Sequence, residues 1–375
     1  MAKRKGDFLK IAGIIAEYNP FHNGHARHIE QTRLQTGAES VICLMSGSFV
    51  QRGEPAFMDK FARARAALEA GADMVLELPV IYSLQAARYF ALGGVRIFNA
   101  LGVVSVLSFG REGEELPEMR PDLSERLKEG KSFPAAAFKR AQPNDMLAAE
   151  YLRAMQETDS AMEIFWLKRR GAHDSGEADS ALGIRKAIRS GRAPFDALPE
   201  PSARALRGQL ALNRAPWQEE ELFRLISARA RAMSAEQLKS ILGADEGLEY
   251  RLKRAAEEAR GLEELINLVK TKRYTRARVC RFLMCVLLGA EKEHALLANG
   301  QPPYIRCLGV RREKKDLLSL CAQAGALPFY TSGARLKREG GELFNLERRA
   351  SDIYELLLPA PGRGGRDMTE GLIVL

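Results

Sequence analysis

The chain has 375 residues, of which 46% are hydrophobic and only 7% aromatic, and it carries 57 Lys and Arg against 48 Asp and Glu. That length holds two or three domains, each able to bury a proper core, and no long stretch has the composition of a disordered segment. No uninterrupted apolar run reaches the roughly 18 residues of a membrane span, and the net charge of +9 suggests an anionic partner larger than a nucleotide.

The first ten residues, MAKRKGDFLK, are basic but run straight into a strand of core length, so they read as neither signal peptide nor anchor. Residues 11–16, IAGIIA, are an apolar run bounded by Asn19 and Pro20, the pattern of a buried strand in a parallel sheet. Beyond Pro20, Ala26, Ile29 and Leu34 recur at helical spacing, and Asn23-Gly24 supplies the turn between the two elements. The connection therefore lies at the carboxyl end of a strand, where open α/β sheets bind ligands. His22 and His25 flank Gly24 there. A helix amino terminus attracts phosphate, the glycine admits a ligand close to the backbone, and imidazoles three residues apart share one face of the first turn. Three of the five histidines fall within residues 22–28. His28, one turn further in, reads equally as a ligand contact or a packed side chain.

Residues 40–45, SVICLM, predict a second strand, followed by the long loop 46–60, whose Ser46, Ser48, Gln51 and Arg52 are candidates to line a ligand site. A helix is expected over 60–70, a strand over 74–78, and a helical region over 83–101 in which Gly93-Gly94 permits a break or a close approach. Residues 103–109 form a fourth strand with Gly110 directly after it. The alternation argues for an α/β fold with a doubly wound parallel sheet. Residues 113–142 are charged and proline-punctuated, an insertion or lid. Pro143-Asn144-Asp145 opens a helix over 146–155, with Asn144 or Asp145 as its cap. Residues 163–167 are the fifth strand, and Lys168, Arg169 and Arg170 stand at its end, where arginine can grip phosphate with two bonds. Ser180 and Arg185 begin the next helix and can reach phosphate oxygens there.

Three prolines between 194 and 201 mark a boundary, dividing the chain into 1–195 and 196–375. Beyond it, residues 219–231, 235–242 and 248–267 read as a helical bundle. The stripe KTKRYTRARVCR holds Lys270, Lys272, Arg273, Arg276, Arg278 and Arg281 with no acid; with Tyr274 inside it, it offers phosphate contacts and one stacking surface. The five cysteines are scattered, without zinc spacing, and fit packed thiols in a reducing cytoplasm.

His22 to His25 resembles the HxGH signature of the nucleotidyltransferase superfamily. The longer string EYNPFHNGH is similar to that of the bacterial tRNA(Met) cytidine acetate ligase family, and the resemblance extends over essentially the whole chain. It implies a doubly wound nucleotidyltransferase-like domain followed by a mainly helical, basic, tRNA-binding domain, with His22 and His25 catalytic. ATP binding is implied for Ile15, Ala16, Glu17, Tyr18, Asn19, Pro20, Phe21, His22, Asn23, Gly24, His25 and His28. The same is implied for Gly110, in a Phe-Gly-acid context, for Asn144, for Arg169 in preference to Arg170, and for Ser180 and Arg185. The arrangement of Arg273-Tyr274-Thr275, Arg278 and Arg281 also matches, as do IRCLGV, Leu327-Pro328 and a helix around 350–358. Ala172 and Leu182 depart from the family pattern, which has a tyrosine and a hydroxyl residue at these places.

The activity so implied is ATP-dependent activation of acetate and transfer of acetyl to the wobble cytidine of elongator tRNA(Met), with ATP and Mg²⁺ as expected cofactors and no membrane or stable protein partner. Two readings compete: a nucleotidyltransferase that adenylylates a small phosphorylated substrate, and an RNA-binding protein with a degenerate ATP site, which Ala172 and Leu182 keep open.

Overall fold

The computed structural model describes residues 9–113, 142–168, 180–300 and 302–375. In chain order its strands are β1 (Ile11–Ala16), β2 (Ser40–Ser46), β3 (Phe49–Val50), β4 (Glu54–Pro55), β5 (Met74–Leu78), β6 (Val106–Arg111), β7 (Glu163–Lys168), β8 (Ile305–Val310), β9 (Phe329–Tyr330) and β10 (Ile373–Val374). One sheet runs β10-β8-β5-β2-β1-β6-β7, with β9 beside β8, and β3 and β4 form a separate hairpin. The strands from β5 to β7 are all parallel. Only β8 runs antiparallel to its neighbour β5.

The central strands are buried on both faces because their sequences are apolar without alternation: every residue of β2 and β5 is buried. Helices α1 (Asn23–Thr36) and α2 (Lys60–Glu69) cover one face. On the other lie α3 (Val80–Ser83), α4 (Ala87–Leu101) and α5 (Pro143–Glu157). No break occurs in α4 at Gly93-Gly94. The two glycines serve close approach instead: a Cβ on Gly93 would lie 2.4 Å from the Tyr82 ring and one on Gly94 2.4 Å from Ile15. The chain winds outward from β1 through β2 to β5, then returns to the opposite edge of β1 with β6. The switch point of the sheet is therefore the crevice at the carboxyl ends of β1 and β6.

Two short helices follow β7, α6 (Ala181–Arg189) and α7 (Glu200–Ala211), and then comes the helical region: α8 (Glu219–Ala232), α9 (Ala235–Ser240), α10 (Leu248–Glu258), α11 (Leu262–Val269), α12 (Arg276–Leu288) and α13 (Lys292–Asn299), with α14 (Asp316–Ala324) after β8 and α15 (Gly333–Glu339) after β9. The single helix expected over 248–267 is interrupted, because Gly261 adopts an extended conformation as the N-cap of α11. Among the described residues no helix is long and apolar enough to cross a membrane.

The division expected after residue 195 cuts across the sheet, since β8, β9 and β10 all lie beyond residue 300 and extend it past β5. A buried charge cluster fastens this returning segment. Lys60 on α2 bonds Glu77 on β5 at 2.5 Å and Asp367 at 2.6 Å, and Arg306 on β8 bonds the same two carboxylates at 2.8 and 2.6 Å. Asp367 belongs to α17 (Arg366–Thr369), and Glu347, on α16 (Gly341–Leu356), accepts the Val80 N–H at 2.6 Å. Burial, then the Glu77 carboxylate, push the Glu347 carboxyl well above the usual carboxylate range. Burial also opposes ionisation of Asp367, but Lys60 and Arg306 outweigh it and hold that carboxyl low. Such pairs pay their desolvation only when every partner is present, which explains why residues from five elements meet there.

Candidate active site

The loop between β1 and α1 occupies the switch point. Tyr18 takes a left-handed conformation, φ 49°, turning the chain off the strand end. Its side chain is buried: the hydroxyl donates to Cys43 Sγ at 3.1 Å, and the ring packs edge-on against Phe21 and His25. Phe21 is buried as well, and Ile15 packs against α4 at Gly94. Expected as ATP contacts, Ile15, Tyr18 and Phe21 pack their side chains against the core.

The two histidines form a reciprocal cap. His22 is the N-cap of α1, and its Nδ1 accepts the Gly24 N–H at 3.0 Å, while His25 Nδ1 accepts the His22 N–H at 3.2 Å. The rings lie against one another, centroids 3.8 Å apart and planes tilted by 32°. Since each Nδ1 is an acceptor, a neutral ring carries its proton on Nε2, which makes the outer edge of both imidazoles a donor. Gly24 is required for this: a Cβ would fall 2.7 Å from the His22 ring. Asn23, exposed at the first turn, has no acceptor for its backbone N–H among the described residues and ties its side chain to the Asp196 carbonyl at 2.9 Å. An open N–H at a helix amino terminus beside two imidazole donors is an anion site. His28, half-buried one turn on, meets Ser108 Oγ on β6 at 2.8 Å, and Thr32 shares that hydroxyl at 2.7 Å.

Across the crevice, Gly110 lies within β6 rather than after it. Asn144 and Asp145 do not cap α5. The N-cap is Gln142, with Pro143 in the first turn, because proline suits the first helical position. Asp145 instead accepts the Glu112 and Gly113 N–H groups, and Asn144 donates to Glu112 Oε1 at 2.7 Å. Ser180 caps α6, accepting the Gly183 N–H at 3.0 Å. Arg169 lies outside the described residues, as do Arg170 and Ala172.

Arg185 reaches the loop but grips protein: it donates to the Asn19 carbonyl at 2.7 Å and pairs with Glu54 at 2.9 Å. Expected to bind phosphate, it holds the loop in place. Asn19 itself is buried, its Oδ1 accepting the Phe57 N–H at 2.6 Å. Ser202, on α7, donates to the Phe21 carbonyl at 2.6 Å. No local signal marks Ser202, Phe57 or Asp196, because their contacts join segments far apart in the chain.

Glu17 is half-buried at the end of β1, with Oε1 accepting the Gln51 N–H at 2.7 Å and Oε2 bonded to no described residue. Burial raises its carboxyl above the usual range. Gln51 belongs to the β3–β4 connection, and its carbonyl accepts from Arg281 at 3.2 Å. Ser46 and Ser48, by contrast, are buried, and Ser48 meets Ser351; they line no open site.

The basic stripe is more neutral than its sequence suggests. Arg273 pairs with Glu246 at 2.6 Å, Arg276 with Glu263, and Arg278 with Asp245 at 3.7 Å. Tyr274 is not a stacking surface: it is 4% exposed, its hydroxyl donates to Glu246 at 2.7 Å and the Arg278 guanidinium covers its ring at 4.6 Å. Arg281 is half-buried against the hairpin, where a Cβ on Gly53 would strike its backbone. Lys270, Lys272, Arg273 and Arg276 remain exposed.

Residues 9–367 match the family of HIGH Nucleotidyl Transferases. A tRNA(Met) cytidine acetate ligase of Acetivibrio thermocellus is 34% identical across 98% of this chain and 100% of its own; that of Bacillus velezensis is 34% identical across 95% and 94%. Two crystal structures of Thermotoga maritima TmcAL, each 31% identical, cover 98% of this chain and 100% of their own. The one bound with alpha-thio ATP gives a TM-score of 0.89 and the apo form 0.91.

Proposed function

Because the chain belongs to the tRNA(Met) cytidine acetate ligase family, within the HIGH nucleotidyl transferases, we propose that it activates acetate with ATP and transfers the acetyl group to the wobble cytidine of elongator tRNA(Met). The observation that carries this reading is the reciprocal His22–His25 cap at the switch point of the sheet. It supplies N–H donors where a polyphosphate would lie.

In the first half-reaction an acetate oxygen attacks the α-phosphorus of ATP, the bond to the bridging oxygen breaks, and pyrophosphate leaves with the electron pair. Alignment and charge neutralisation are what such a step needs. The α1 amino terminus and the Nε2 edges of His22 and His25 provide them, while Arg185 and Ser202 hold the loop carbonyls that fix the imidazoles' position. Among the described residues no three His, Cys, Asp or Glu side chains are grouped to hold a metal; Mg²⁺ entering with ATP would be bound chiefly by the phosphates. In the second half-reaction the N4 amine attacks the acetyl carbonyl, the bond to the AMP oxygen breaks, and an amine proton must leave. Glu17, with one oxygen held by Gln51 and the other bonded to no described residue, is the carboxylate placed to take it.

The direct test is incubation with ATP, Mg²⁺, labelled acetate and unmodified elongator tRNA(Met), followed by digestion of the RNA. ATP-dependent label in N4-acetylcytidine is the expected result. Pyrophosphate release with another acceptor and no label in RNA would discard the substrate while keeping the nucleotidyl-transferase chemistry.

Changing Lys272, Arg273 and Arg276 together to glutamine should weaken tRNA binding about tenfold and leave ATP affinity unaltered. Three free cations would lower the salt slope of log K by about 2.7; because two of these are paired with carboxylates, a decrease of about 1 to 2 is expected. An unchanged slope would remove the stripe from the RNA site.

A further inference from the structure

Three of the six cations of the stripe are paired with Glu246, Glu263 and Asp245, and a second group of cations lies at the other end of α12. Arg229, in the last turn of α8, and Arg349, on α16, converge on Gly289, the left-handed C-cap of α12: guanidinium nitrogens of both lie within 3.2 Å of where a Cβ on Gly289 would sit. Among the described residues neither guanidinium makes a hydrogen bond or ion pair, and the Nε atoms of both are buried without an acceptor there. Burial, then the neighbouring Arg229 charge, lower the Arg349 pKa. Two like charges held together at this separation are unfavourable unless an anion joins them. The carbonyl end of α12 offsets part of that cost, and glycine at 289 leaves room for the two side chains.

Beside them opens a cleft of about 560 Å³ lined by Asn345, Arg348, Arg349, Ile353 and Leu356, together with Glu342 and Asp352. Arg348 is already neutralised by Asp352 at 3.2 Å, and Glu342 is engaged with Asn345 at 3.3 Å. Glu342 and Glu291 act on Arg349 from a distance, but no carboxylate among the described residues forms an ion pair with Arg229 or Arg349.

We propose that Arg229 and Arg349 form a phosphate site that grips a backbone phosphodiester of the bound tRNA, one helix length from the basic stripe. The 13 residues of α12 separate the two by roughly 20 Å, a span that one folded RNA bridges across the surface over this buried helix. Guanidinium pairs suit this ligand because each offers planar, two-pronged contact to phosphate oxygens. The inference rests on the tRNA reading given above.

The test measures tRNA affinity between about 50 and 200 mM salt for the full chain and for a variant carrying Arg229→Gln and Arg349→Gln, alongside acetate-dependent ATP–pyrophosphate exchange without RNA. Expected is an affinity loss of about tenfold at the lower salt, a salt slope smaller by about 1 to 2, and unaltered exchange. A second variant, with lysine at both positions, should recover most of the slope. Wild-type affinity and slope in a glutamine variant that melts normally would overturn the site, as would a lysine variant no better than the glutamine one. Weakened ATP binding with intact tRNA binding would reassign the pair to a free nucleotide and equally overturn it. If the wild-type chain itself fails to bind tRNA, the functional reading falls and the site falls with it.

Discussion

Replacing His25 with alanine is expected to abolish most acetate-dependent pyrophosphate release. The Nε2 edge of His25 offers a donor at the α1 amino terminus, and removal of one donor aimed at developing charge costs about 2–4 kcal/mol in the transition state, or roughly 30- to 1,000-fold in rate. The substitution has a second effect, since His25 Nδ1 also accepts the His22 N–H. Losing that cap bond should cost about 1 kcal/mol of stability, small enough for the variant to remain folded. His25→Gln separates the two effects, because glutamine at the third helical position can still accept from the N-cap N–H. We expect it to restore the melting temperature but not the rate. Near-normal pyrophosphate release by a folded His25→Ala protein would remove His25 from the catalytic machinery.

How far these residues were legible in sequence depended on the range of the interactions that place them. The β1 strand and the start of α1 could be read from an apolar run, a proline and a change of period, all within 25 residues of one another. The position of the histidines at the carboxyl end of a strand could be read too, whereas the switch point appears only when β6 returns to pair with the other edge of β1. What no local pattern records is the buttress behind the loop: Arg185 meets Asn19 across 166 residues and Ser202 meets Phe21 across 181. Arg185 was legible as a cation at a helix start, but not as one whose nitrogens are claimed by a carbonyl and by Glu54.

The same limit explains the basic stripe. Sequence shows six cations without an acid between them, and tertiary structure brings the acids from α11 and from the turn before α10 to Arg273, Arg276 and Arg278. The segment IRCLGV was legible only as a match to the family, while its place in the sheet, antiparallel to β5, is accompanied by the bonds of Arg306 to the buried Glu77 and Asp367 carboxylates. Glu17 stood within the recognisable string EYNPFHNGH; its chemistry, one oxygen held and the other bonded to no described residue, depends on Gln51 from the β3–β4 connection.

That asymmetry predicts a separation of the two half-reactions on Glu17→Gln. Glutamine keeps the shape and can still accept the Gln51 N–H, so the loop and adenylation should be affected only several-fold. It cannot take a proton from the cytidine amine, and loss of a general base costs about 10²- to 10⁴-fold, so acetyl transfer should fall far more than pyrophosphate release. The pH dependence supplies an independent readout. Burial raises the Glu17 carboxyl, with Glu54 adding to the rise and Arg52, Arg185 and the Gln51 N–H opposing it; Arg63 from α2 and Tyr151 from α5 complete its charged and titratable surroundings. A base must be ionised to act, so wild-type transfer should decline as pH falls through a value above the ordinary 4.5 of a glutamate. This acid limb should vanish in Glu17→Gln and persist in Glu17→Asp at a reduced plateau. Single-turnover measurement, with acetyl-adenylate formed first and tRNA added second, isolates the step. If the glutamine variant transfers acetyl at near the wild-type rate, or loses adenylation and transfer in equal measure, Glu17 is a structural or nucleotide-positioning group and the proton leaves by another path.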